Sequence, residues 1–342
     1  MSTTEEHKSI AIASRNAWPG DPKFTMKFHL LATALIYAGI AVTAPAIAQN
    51  APAAGQPVKL RSATDAKDQV RVTRVTPEYW RVTFHNPPFN IYGPNTTPQL
   101  NKVVTAIEAD PHLKVVVFDR DVPHFFLTHY DFVPPLTDTT RLPPGPTGLP
   151  QLPDMLVRIS KAPVVSIASI RGRASGVGSE LALASDMRFA SRERALLSQF
   201  EIGAGFVPGG GPMARLPRLM GRGRALEVLL TGNDIDGELA ERYGYVNRAL
   251  PDAELDAFVD AMARRIAGFD KQAIADIKVL VNLNSLPPND QVGAEWAAFL
   301  RSVKRPAAQQ RISQLLQMGL QTNPDVEKRL PDYTGKLGES SR

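Results

Sequence analysis

Two glutamates stand where a carboxylate could do acid–base chemistry. Glu180 lies in Ile170-Arg171-Gly172-Arg173-Ala174-Ser175-Gly176-Val177-Gly178-Ser179-Glu180-Leu181. Residues 164–170 before it read as a buried strand. A glycine-containing turn follows, then the start of a helix. Backbone N–H groups at a helix start have no partner within the helix, so they can receive an oxyanion. Glycine lets another molecule come close to that backbone. Glycine-rich strand–helix turns also serve purely structural ends, and the spacing alone leaves both readings open. Glu201 lies in Gln199-Phe200-Glu201-Ile202-Gly203-Ala204-Gly205-Phe206-Val207-Pro208-Gly209-Gly210-Gly211, a lone acid among apolar residues and glycines. Buried there, it would hold a proton near neutral pH. At a loop edge it would be an ordinary exposed glutamate.

Other chemistries find less support. The chain has no cysteine, which excludes disulfides, thiolate metal sites and cysteine nucleophiles. No metal-ligand spacing is visible, so no metal is expected. Of the histidines, only His129 lies within a motif. It is either a third acid–base group or a hydrogen-bonding residue that holds its loop. His85, His112 and His124 read as surface or structural.

The elements that must position these residues follow from periodicity. Residues 69–76 and 80–85 are β-branched or aromatic runs around Pro77 and Glu78, read as paired strands. Thr97-Pro98 opens a helix to about Ala109, with Leu100, Val103, Val104 and Ile107 as its apolar stripe. Val115-Val116-Val117-Phe118 is the continuous run of a strand buried on both faces. Residues 133–153 are dense in proline and predict an irregular loop. Helical patterns follow at 179–190, 212–218, 222–231, 236–243, 252–268, 270–282, 290–301 and 306–319. Strands separated by helices imply an α/β core with a parallel sheet.

Taken together, these motifs resemble those of the crotonase (enoyl-CoA hydratase/isomerase) family. Segment 170–181 is similar to the family's strand, glycine turn and glutamate. Glu201 followed seven residues later by Pro208-Gly209 is similar to its second motif. Gly223-Arg224-Ala225-Leu226-Glu227-Val228-Leu229-Leu230-Thr231-Gly232 resembles its helix ending in Leu-Thr-Gly, and Ala240, Gly244, Val246, Asn247 and Pro251 continue the pattern. Asn86-Pro87-Pro88-Phe89-Asn90 resembles the start of its substrate-binding loop. The resemblance covers residues 68 to 300.

The resemblance implies a crotonase-type spiral of ββα units with a C-terminal helical region, and acyl-CoA as substrate without a separate cofactor. Glu180 and Glu201 fall on the hydratase glutamates. Tyr130 and Val177 fall on the two oxyanion-hole N–H donors. Asn90, His129, Asp131 and Gly176 fall among the substrate-binding positions. Around the first donor, Thr128, His129 and Tyr130 replace the usual small residues, which predicts a narrower acyl pocket. The expected reaction is hydration of a 2-enoyl-CoA, or movement of its double bond.

The bulk properties set the context. In 342 residues the net charge is +5, with Lys and Arg interleaved among acids, so nucleic acid is not expected as a partner. Lys27, an apolar run and Ala46-Ile47-Ala48 read as a secretory signal at about 26–48, cleaved after Ala48. That predicts export to the periplasm, or a cytoplasmic protein if the segment is unused. Met26 reads as the more natural start. The expected divisions are leader and signal at 1–48, linker at 49–66, core at 67–251, and C-terminal helices and tail at 252–342.

Export sits uneasily with CoA thioesters and raises two rivals: a binding or scaffold protein on the same fold, and a Clp-like serine hydrolase. For the second, the nucleophilic serine falls on Gly176. The resemblance also implies a homotrimer or hexamer. The apolar stripes Leu255, Phe258, Met262, Ile266 and Ile312, Leu315, Leu316, Leu320 fit either subunit packing or a monomer's core.

Overall fold

β-branched and aromatic residues open the folded part as an antiparallel pair, β1 (Val70–Thr76) and β2 (Tyr79–Phe84). The computed structural model describes residues 68–339, and the expected signal and linker segments lie outside the described residues. After α1 (Thr96–Ala109) the chain winds through strand, strand and helix repeatedly. The first turn is β3 (Val115–Arg120) and β4 (Phe125–Leu127), followed by α2 (Thr137–Thr140) and α3 (Gln151–Lys161). The second is β5 (Val165–Ile170), β6 (Arg173–Ser175) and α4 (Val177–Ala184). The third is β7 (Met187–Ser191), β8 (Leu196–Ser198) and α5 (Pro212–Thr231). Then come β9 (Ile235–Asp236), α6 (Gly237–Tyr243) and β10 (Arg248–Leu250).

In each turn the first strand joins a six-stranded sheet, ordered β1-β2-β3-β5-β7-β10, and the second joins a four-stranded sheet, ordered β4-β6-β8-β9. From β2 onward the larger sheet is parallel. This is the expected ββα spiral.

The continuous apolar run in β3 has its physical reason here. Successive strand side chains point to opposite faces. Val115 and Val117 meet Leu255, Val259 and Ala263 of α7 (Asp252–Ala267). Val116 and Phe118 enter the main core with Trp80, Phe84 and Ile170. Burying each such side chain contributes about 1.5–3 kcal/mol, so both faces of the strand must be covered.

Four helices complete the C-terminal region before the last: α8 (Lys271–Ser285), α9 (Asn289–Val303), α10 (Pro306–Met318) and α11 (Pro324–Lys328), and α12 (Leu330–Glu339) ends it. Both stripes considered for subunit packing meet partners within the chain. Leu255, Phe258, Met262 and Ile266 pack on the large sheet. Ile312, Leu315, Leu316 and Leu320 join the main core. No helix among the described residues is long and apolar enough to cross a membrane.

Two sequence expectations need correction. The proline-dense stretch 133–153 is not wholly irregular: it holds α2, and α3 begins at Gln151. Pro153 lies in the first turn of α3, where a missing N–H removes no intrahelical bond. The helix expected at 179–190 ends at Ala184, and the chain reappears as β7, a strand too short to show a period. The helices expected at 212–218 and 222–231 are both present as the two halves of α5, divided at Gly221, whose φ of 78° breaks the helical path.

Candidate active site

Glu180 owes its place to three glycines. Gly176 precedes α4 with φ 53° and ψ −118°, a conformation that favours glycine. Gly178 lies so close to β4 that a Cβ there would sit 1.7 Å from the carbonyl oxygen of Leu127. Gly210 leaves room for the carboxylate itself, since its Cβ would lie 2.3 Å from Glu180 Oε2. Glu180 is 3% exposed, and its Oε1 accepts the N–H groups of Gly209 at 3.1 Å and Gly210 at 2.7 Å. Burial raises its pKa to about 7, and the two N–H groups and Arg215 hold it from rising further.

Glu201 sits on a single 3-10 turn, Phe200–Ile202, that follows β8. It is equally buried, but its Oε2 has no hydrogen-bond partner among the described residues. Burial holds its pKa well above the ordinary value, and the charge of Glu180 adds to the effect. A Cβ on Gly176 would lie 3.0 Å from Glu201 Oε1 and 3.3 Å from the Cα of His129. The start of α4, Glu201 and the loop after β4 therefore converge on this glycine. Two acids of different character share one site: one anchored by backbone donors, the other unpartnered and strongly disposed to keep its proton.

Two backbone N–H groups lie at the same place without acceptors. Val177 is the first residue of α4, so its N–H has no intrahelical partner. Tyr130 lies in a loop clamped by its neighbour: the Tyr92 N–H donates to His129 O at 3.0 Å, and the Asp131 N–H donates to Tyr92 O at 2.7 Å. A trans peptide directs its N–H opposite to its C=O. The Tyr130 N–H therefore turns away from the Tyr92 backbone. Neither N–H donates to a protein acceptor among the described residues. The Tyr130 hydroxyl is paired with Thr139 of α2 at 2.5 Å.

The remaining expected site residues divide. His129 is buried, its Nδ1 lies 2.8 Å from Tyr130 O, and its Nε2 lies 3.1 Å from Glu327 Oε2 on α11. Burial opposes a charge on His129, but Glu327 outweighs it and the pKa is raised. Both ring nitrogens are thus engaged, which is the loop-holding role of the two considered. Asp131 Oδ1 accepts from the Val133 N–H and Gln321 Nε2. Asn90, at φ 53°, accepts from Asn86 N and donates to the carbonyls of Phe125 and Phe126. Neither Asn90 nor Asp131 lines the cavity. Their side chains shape the backbone around it.

The cavity has an empty volume of about 620 Å³, its mouth included, and is lined by Glu180, Glu201, Val177, Tyr130 and His129. Sequence reading missed most of its wall. Phe132, Phe200, Phe206 and Phe299 run edge to face at 6.0–6.4 Å, with Trp296 beyond. They come from three separate segments, around residues 132, 200–206 and 296–299, and no single motif contains them all. Glu327 was missed for the same reason. The N–H donors of Gly209 and Gly210 had a visible signal, the glycine run itself. Among the described residues no cluster of His, Asp or Glu could hold a metal ion.

Comparison with known proteins adds an independent line. The family model for enoyl-CoA hydratase/isomerase matches residues 79–336. Over 299 residues the chain is 27% identical to the mitochondrial methylglutaconyl-CoA hydratase of Homo sapiens, covering 83% of this chain and 84% of that protein. Over 195 residues it is 32% identical to the crotonyl-CoA hydratase of Syntrophomonas wolfei, covering 56% of this chain and 73% of that protein. A solved structure from Streptomyces avermitilis, assigned as an enoyl-CoA hydratase, superposes with a TM-score of 0.75 at 41% identity. That match covers 78% of this chain and 96% of the other.

Proposed function

The chain belongs to the enoyl-CoA hydratase/isomerase family, and from that premise we propose that it adds water across the 2,3 double bond of a 2-enoyl-CoA thioester. The observation that carries this reading is the pair of buried carboxylates facing one cavity beside two unclaimed backbone donors. The N–H groups of Tyr130 and Val177 receive the thioester oxygen and stabilise the negative charge that gathers on it as C3 is attacked. Glu180, anchored in its ionised form by Gly209 and Gly210, takes a proton from water as the water oxygen bonds to C3. Glu201 gives its proton to C2 as the enolate collapses. The product is a 3-hydroxyacyl-CoA, and the proton that Glu180 took must pass to Glu201 or solvent before the next turnover. The protein needs no separate cofactor in this scheme.

The test is loss of the enoyl thioester absorbance when the purified protein meets crotonyl-CoA, with Glu180→Gln and Glu201→Gln alongside. No loss with any 2-enoyl-CoA sinks the reaction, and full activity in both variants sinks the roles. The serine-hydrolase reading has little support, because no serine hydroxyl among the described residues is hydrogen-bonded to a histidine.

Export through the segment at 26–48 and assembly into trimers or hexamers belong to the same proposal. Sequencing the N-terminus of the cellular protein tests the first: a chain that keeps residues 26–48 refutes it. Light scattering in solution tests the second, and a monomeric mass overturns it.

A further inference from the structure

A second cavity lies between the end of α4, the start of β7, α5 and α8, and shares no lining residue with the first. We propose that it binds an amphipathic carboxylate. Its carboxylate group would be held by Arg188 and Arg215, and its aliphatic tail would lie along Leu219, Ile277 and Val281.

The charge in this cavity is unbalanced. Arg188 and Arg215 are 6% and 4% exposed, and neither is in an ion pair among the described residues. Arg188 donates only to carbonyl oxygens, Nε to Tyr245 and Nη1 to Ser185, and its Nη2 finds no acceptor among the described residues. Arg215 donates through Nη1 to Gly210 O, while its Nε is buried without a partner and its Nη2 has no acceptor among them. Lys278 and Arg218 also line the space. The Lys278 charge is matched by Asp186 at 2.7 Å, the cavity's one carboxylate, whereas Arg218 bonds to Ala214 O and Gln291. Burying a cation with no direct ion-pair partner is unfavourable, and an entering anion in hydrogen-bond contact would relieve that cost. Burial pushes both guanidiniums down to about 10, although Asp186 opposes this at Arg188 and Glu295 and Glu180 oppose it at Arg215, where Arg188 adds a smaller repulsion.

The rest of the wall selects for a tail. Ile277 and Val281 are 63% and 57% exposed on α8, and Leu219 is 40% exposed on α5. An inorganic anion would satisfy the arginines and leave this surface wet. A carboxylate on an alkyl chain covers both, since apolar burial and charge-assisted hydrogen bonds act at opposite ends of one molecule.

The test is calorimetric titration of the full-length protein with octanoate, octanol and inorganic phosphate. Octanoate is expected to bind at one site, and octanol and phosphate at least about tenfold more weakly. Ile277→Asp and Val281→Asp change exposed positions, so the fold should survive. Each should weaken octanoate by about tenfold or more through like-charge repulsion at the cavity mouth. Arg188→Gln should do the same if it folds. The proposal falls if octanoate gives no binding, if both aspartate variants bind it unchanged, or if phosphate or octanol binds as tightly. It also falls if light scattering shows an oligomer that Ile277→Asp dissociates while octanoate binds neither form, since a second copy would then cover this face.

Discussion

His129 and Glu327 form a buried ion pair across 198 residues of sequence, with Nε2 3.1 Å from the nearer carboxylate oxygen. It ties the loop that carries Tyr130 to α11. Glu327 also accepts the Gln321 N–H at 2.6 Å, and Gln321 bonds in turn to Asp131 and to the Phe132 N–H. The C-terminal segment thereby becomes a wall of the site. Burial opposes the charge on each partner, but each stabilises the other: the His129 pKa is raised from 6.5 and that of Glu327 lowered from 4.5. Stability from His129 is fully present below 6.5 and lost as pH rises through its raised value. Stability from Glu327 is present above 4.5 and lost as pH falls through its lowered value. The clamp is therefore complete between those two ordinary values. Glu327→Gln leaves a buried imidazolium unpaired and should cost about 3–5 kcal/mol in that window, measured by urea denaturation. The loss should shrink as pH rises through the raised value of His129, and a loss that stays constant over the whole alkaline range in which the protein folds would refute the ion pair.

The carboxylates should respond separately to replacement. Glu201→Gln removes the proton donor and Glu180→Gln the base, and each should lower kcat by about 10²–10⁴ with little change in KM. Steady-state rates with a 2-enoyl-CoA decide this. A change confined to KM would make the two residues binding groups only.

Rate and stability should move in opposite directions with pH. Activity needs Glu180 ionised, so kcat/KM should rise with pH through about 7 and fall at higher pH as Glu201 loses its proton. For stability, both glutamates have folded pKa values above the unfolded one. Their contribution is fully present below 4.5 and is lost as pH rises through the folded values. Glu180→Gln should therefore stabilise the protein at pH 8, by up to roughly 3 kcal/mol, and leave it unchanged at pH 4.5. Thermal unfolding at the two pH values checks the sign, and destabilisation at pH 8 would contradict it.

The glycines predict graded damage. Gly176→Ala must hold φ 53° and push against Glu201, so activity should fall by at least about tenfold while the protein still folds. Gly178→Ala meets the Leu127 backbone at 1.7 Å, which cannot yield, and should destabilise α4 as a whole. Circular dichroism melts alongside turnover separate the two. A fully active Gly176→Ala enzyme would show that this approach is unimportant.

Tyr130 should control the acyl pocket through its side chain and the oxyanion through its backbone. Tyr130→Ala keeps the N–H and removes bulk beside Thr139, so bulkier enoyl thioesters should gain in kcat/KM relative to crotonyl-CoA. Tyr130→Phe removes only the hydroxyl bond to Thr139, worth about 1 kcal/mol. Competition between short and long enoyl thioesters reads the difference. An unchanged ratio in Tyr130→Ala would place the acyl chain elsewhere.

Local chemistry in the sequence determined the strands, turns and helix starts that carry the two acids, while the spiral itself and the pairing of the acids were expected from the family resemblance. The apolar run of β3, the glycine turn before α4 and the Pro208-Gly209 loop are each dictated by backbone conformation or by burial on both faces, and those requirements act within a few residues. Short elements escaped for the same reason. β7 has too few residues to display a period, and α3 hid behind prolines that its first turn tolerates. What each acid does was decided only in three dimensions. Glu180 and Glu201 look alike in sequence, yet one is anchored by N–H groups about thirty positions away and the other has an unpartnered oxygen. The aromatic wall, the partner of His129 and the unpaired arginines of the second cavity likewise depend on segments distant in the chain. Protonation follows burial and the surrounding field, and both arise when those segments pack together.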